Sequence, residues 1–181
     1  MIQARFTKEM INILKSCIGE KLLSYEYGVS LPGEAYGNLK LNFDTFSIEL
    51  LNEVKETPFF DETEEISSFS CKKIKANTPF EPYCKETVSL VEINEKVRCV
   101  SVVTDCISVN RGEYEIVFDM ALVVQTENQQ YIFSRGWFFG EVITHFADKN
   151  TDCIYPVETV IEDWSDEGKN EVLVSREVKL L

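Results

Sequence analysis

The sequence predicts an α+β, β-rich fold, with one N-terminal helix packed on antiparallel sheets or on an incomplete barrel. Three observations carry this. Residues 114–124 alternate apolar with polar side chains and then run together as apolar sequence. Residues 131–139 are a second β-rich run, joined to the first by the polar stretch 125–130. A helical period shows near the amino terminus, where Met10, Ile11, Leu14, Cys17 and Ile18 recur at three- and four-residue steps.

Taken in order, Thr7 can cap that helix, Lys15 suits its negative end, and Gly19 suits a stop. Residues 22–29 change to strand period through Leu23, Tyr25, Tyr27 and Val29, and 30–34 carry the turn signal Pro-Gly. Residues 39–43 and 46–50 alternate about Asp44-Thr45, as a hairpin does. Residues 52–65 are polar with an acidic cluster at 61–65, and 66–74 read as a strand. Residues 76–82 hold Pro79 and Pro82 and mark an internal boundary. The chain therefore reads as one domain over 1–181, with sub-halves 1–76 and 83–181 as the finer division. Residues 87–93 and 97–109 read as two strands around Asn94-Glu95-Lys96, and the long hairpin 114–139 follows. After Tyr155-Pro156, residues 157–164 alternate as a strand does, 165–170 turn, and 171–181 close with a strand. Short likenesses link 18–22 with 93–97, 33–36 with 112–114, and 43–44 with 118–119. The gaps between the matches differ, as chance likeness between two β-rich segments would give; the alternative is two similar β-meander halves.

Composition narrows the function. The net charge of −13 opposes nucleic acid and anionic membranes and favours a basic protein partner. No apolar run reaches the ~20 residues that a membrane helix needs. The start of the chain lacks a secretory pattern. Six cysteines lie on apparent core elements without metal-type or framework spacing, which predicts reduced thiols and a cytoplasmic address.

Chemistry-bearing patterns are sparse. The eight glycines form no phosphate loop; Gly136 and Gly140 read as packing or bulge positions. His145 is the sole histidine, so a nucleophilic pair would have to use it, with Cys153, Cys106 or Cys84. Its bland reading is a loop-edge residue at a strand end. Glu141, His145, Asp148 and Asp152 could together supply a metal, although such proximity is common by accident. Asp119 interrupts an apolar run, where an acid is costly unless paired or wet. Arg135, on the hairpin's other strand, is its expected partner. Trp137 and Trp164 complete the ligand-binding candidates; Trp164 is either an exposed anchor or a core closure. No cofactor is implied. The favoured reading is a non-catalytic, acidic, cytoplasmic binding protein. A small-molecule-binding β-barrel and an enzyme using a Cys–His or carboxylate site are the other two.

Overall fold

The computed structural model describes residues 1–59, 62–83, 87–136, 138, 140–147, 154–165 and 168–181. The chain runs β1 (Ile2–Ala4), α1 (Lys8–Lys15), β2 (Lys21–Val29), β3 (Glu34–Phe43), β4 (Phe46–Phe59), β5 (Glu62–Lys75) and β6 (Val88–Val109). It continues through β7 (Tyr114–Thr126), β8 (Gln130–Arg135), β9 (Val142–Ala147), α2 (Val157–Trp164) and β10 (Val172–Leu180). Among the described residues, all the strands join one 10-stranded sheet. It is β-rich as predicted, and mixed because β1 lies parallel to β7.

Two antiparallel meanders make up most of the sheet, β2-β3-β4-β5 and β6-β7-β8-β9. Pairing of β2 with β6 and of β3 with β9 joins them and closes a ring, β2-β3-β9-β8-β7-β6. The boundary at 76–82 therefore separates two segments whose strands share one sheet. Side chains fill the ring, as small barrels require. Tyr25 on β2 reaches Phe133 on β8, with ring centroids 5.3 Å apart, and packs there with Leu39, Leu41, Val100, Leu122 and Ile143.

α1 forms as its period predicts. Thr7 Oγ1 accepts the Met10 N–H, Leu14 is buried, and Gly19 turns the chain at φ +88°. α2 is a correction. Residues 157–164 form a helix rather than a strand, because Val157, Val160, Ile161 and Trp164 stand at helical steps, and Val160 and Trp164 enter the core. β6 is a second correction: 87–93 and 97–109 are not separate strands around a connection. One strand runs through, and Asn94 takes φ +60° where the pairing with β2 is irregular. In the polar stretch, β4 and β5 continue outward in register to Phe59 and Glu62, with Asn52 and Phe69 buried. The hairpin β7–β8 pairs from Ala121↔Ser134 to Gln125↔Gln130, and β8 stops at Arg135.

β7 explains its own sequence. Over 114–118 one face is buried, through Ile116 and Phe118, and the other is more open, so the pattern alternates. Beyond, Leu122 and Val124 enter the ring while Ala121 and Val123 pack beneath Ile154, so both faces are apolar. Between the halves β7 carries one extra residue opposite β6, where pairing steps from Val103↔Ala121 to Thr104↔Asp119.

The first meander carries an alternating charge row across its strands: Glu26, Lys40, Glu49 and Lys72 stand directly opposite one another in turn. Lys40 Nζ lies 2.5 Å from Glu26 and donates to Thr78 O at 2.7 Å; Lys72 lies 2.7 Å from Glu49. Asn38 donates to Glu49 and to Glu81 O and accepts the Tyr83 N–H. The proline-containing segment is thereby clamped over the row. A one-residue slip would set Glu26 opposite Leu39 or Leu41 and Lys40 opposite Ile48 or Leu50, so the row favours this register.

Candidate binding surface

Strand β7 places Asp119 toward the amino-terminal segment rather than toward Arg135. Its Oδ2 accepts the Phe6 N–H at 2.6 Å, its Oδ1 accepts from Thr104 Oγ1 at 2.7 Å, and Arg5 Nε stands 3.5 Å away. The predicted Asp119–Arg135 pair does not form because β8 pairs only with residues 121–125 of β7; Asp119 lies past the end of that ladder, opposite β6. The acid is 2% exposed and fully bonded.

Arg135 is instead a buried cation, 1% exposed. Its guanidinium lies 4.9 Å from the centre of Phe118 and 5.4 Å from that of Phe69, and its three nitrogens have no hydrogen-bond partner. Burial lowers its pKa to about 9, against the opposing pull of Asp119 and Asp105. It remains charged at neutral pH. Asp105 in turn is held by Arg176, through two bonds of 2.7 Å. No local pattern marks Asp105 or Thr104 as a buried polar group; a half-polar strand, Thr104-Asp105-Cys106, is all that shows there.

Trp164 is 2% exposed and packs on Phe118 and Phe138, so it closes the core and is no surface anchor. Trp137, Cys84, Asp148, Asp152 and Cys153 lie outside the described residues. His145 departs from the loop-edge reading. It sits inside β9, 7% exposed, because its side chain points into the ring. Its Nδ1 lies 3.1 Å from the Tyr25 hydroxyl, its ring lies 4.0 Å from that of Tyr27, and Nε2 has no partner. Burial lowers its pKa to about 4. Desolvation by the same cluster raises that of Tyr25. Glu141 lies just before β9, and its carbonyl accepts the Gly37 N–H. Among the described residues, no group of three His, Cys, Asp or Glu side chains converges as metal ligands would. Cys17 and Cys71 are buried free thiols, each raised to about 12 chiefly by burial; Cys99 is half-buried and Cys106 exposed.

Like charges meet at both ends of the sheet, which composition alone did not reveal. Lys21 and Lys96 stand opposite each other near the α1 end of the sheet, with Lys73 and Lys75 close to the end of β5. Carboxylates gather at the other end, around α2, the outer half of β4–β5 and the start of β7. There Glu56 directly opposes Glu65, and both are exposed. Glu158 and Glu162 lie one turn apart on the exposed face of α2. Tyr114, flanked by Glu113 and Glu115, donates its hydroxyl to Pro58 O and so ties the hairpin arm to this end. A shallow cleft of about 360 Å³ opens beside it, lined by Met1, Cys106, Glu115, Val117, Leu173 and Ser175.

No family model, no curated protein and no solved structure matches this chain. Among the described residues, no helix is long and apolar enough to cross a membrane.

Proposed function

We propose that this chain is a non-catalytic binding protein of the cytoplasm whose acidic end receives a basic protein partner. The observation that carries this reading is the arrangement of like charges there. Directly opposed carboxylates on neighbouring strands destabilise a sheet, as Glu56 and Glu65 do. Carboxylates four apart destabilise a helix, as Glu158 and Glu162 do. A cationic surface relieves both. An apolar cleft bordered by Glu115, with Leu173 and Met1 exposed, offers the desolvated contact that charge alone lacks. The two other readings draw less support: side chains fill the strand ring, and His145 faces tyrosines within it.

The test is affinity isolation from native lysate on the immobilised chain, beside a variant carrying Glu56→Gln, Glu65→Gln, Glu158→Gln and Glu162→Gln. The reading expects a basic protein that the wild type retains and the variant releases. Equal retention by both overturns it.

A further inference from the structure

Strand β10 ends the sheet: it pairs with β6 and, among the described residues, with no other strand. Natural edges of this kind are shortened, bulged, broken by proline or studded with charge, and of these devices β10 carries only charge. β10 is nine residues long, holds no proline and pairs with β6 without a register shift. It leaves Val178 55% and Leu180 65% exposed. Glu177 and Lys179, which form no ion pair among the described residues, share one face and flank Val178.

We propose that β10 pairs antiparallel with β10 of a second copy of this chain, about a two-fold axis at Val178. Symmetry limits the choice. A two-fold that sets identical strands side by side and antiparallel stands perpendicular to the sheet, so each face continues across it and one residue meets its own copy. An axis at Arg176 sets two guanidinium groups against each other, and an axis at Glu177 sets two carboxylates against each other. At Val178 the apolar side chain meets its copy. Glu177 of each chain then faces Lys179 of the other, two opposite-charge pairs on one face, and Arg176 faces Leu180. The net charge of −13 does not prevent this. The opposed carboxylates lie at the α2 end, whereas residues 176–179 carry Arg176, Glu177 and Lys179.

Sedimentation velocity over a concentration series to ~0.1 mM tests it, since dimer fraction follows mass action. The wild type is expected at twice 20.8 kDa at the upper end. Glu177→Lys or Lys179→Glu alone replaces two attractive pairs by two repulsive ones and is expected to weaken the dimer by roughly 10-fold or more. Glu177→Lys combined with Lys179→Glu restores the pairs and the dimer. These side chains are exposed, and circular dichroism should show every variant folded. A monomeric wild type, single variants that dimerise as well as wild type, or a double variant that stays monomeric would each overturn the proposal.

Discussion

At the scale of single residues, the buried charges divide into those the fold has satisfied and one it has not. Asp119 accepts from Phe6 N–H and Thr104, so removing it leaves two buried donors without an acceptor. Asp119→Ala should therefore lower unfolding free energy by about 3 kcal/mol or more in urea titration, in the range for breaking a buried charged network. Arg135 behaves differently because its nitrogens make no hydrogen bond to lose. Arg135→Met keeps the contact with Phe69 and Phe118 without burying a charge, and should leave stability unchanged or raise it by roughly 1–4 kcal/mol. A fall of similar size would show that the guanidinium–ring contacts outweigh its desolvation. His145 makes stability depend on pH. Its folded pKa of about 4 lies below the ordinary 6.5, so the unfolded chain takes up the proton first as pH falls. The native state keeps its full advantage above pH 6.5 and loses it progressively between there and pH 4, by up to roughly 3 kcal/mol. His145→Phe removes this slope, so denaturation of the two proteins at pH 7 and pH 4.5 should show the wild type losing more. Equal losses would place the imidazole in water. The sequence marked Asp119, Arg135 and His145 as unusual for sound reasons, since each interrupts or ends an apolar run. It could not assign their partners, because those come from other elements: β6 and the amino-terminal segment for Asp119, β5 and β7 for Arg135, and β2 for His145.

At the scale of elements, local patterns were legible wherever one face was buried and the other wet. α1, the pairing of β3 with β4, and the β7–β8 hairpin follow from period and turn chemistry alone. Residues 157–164 were misread because Val157, Thr159 and Ile161 are β-branched at alternate positions, although Pro156 and the apolar steps to Trp164 carry the helical signal. The outer half of β4–β5 was hidden because its charged positions fall on both faces. The ring itself rests on β2–β6 and β3–β9, contacts that no local pattern encodes. One tight point holds the connection between the meanders: Gly37 has φ +74°, and a Cβ there would lie 2.6 Å from the Tyr83 ring. Gly37→Ala should thus cost more than the ~1 kcal/mol of backbone strain alone. Tyr83→Ala in the same background should recover part of the loss. Thermal melts of the three variants decide it, and additive losses would mean that the ring does not press on this glycine.

At the scale of the whole molecule, like charges meet on the surface proposed to receive a partner. Opposed glutamates weaken the free protein at the end proposed to meet a partner. Glu56→Gln with Glu65→Gln should therefore stabilise the isolated chain by a few tenths to ~1 kcal/mol while weakening the complex. Paired measurement of unfolding midpoint and partner affinity would show both signs; loss of stability would mean that the carboxylates support the fold. If the acidic end attracts its partner electrostatically, as proposed, the affinity of the isolated native partner must respond to salt. The screening length falls from ~10 Å at 0.1 M to ~3 Å at 1 M, so affinity should fall steeply over that range. An affinity that stays constant from 0.1 M to 1 M would contradict the claim and assign recognition to apolar contact instead.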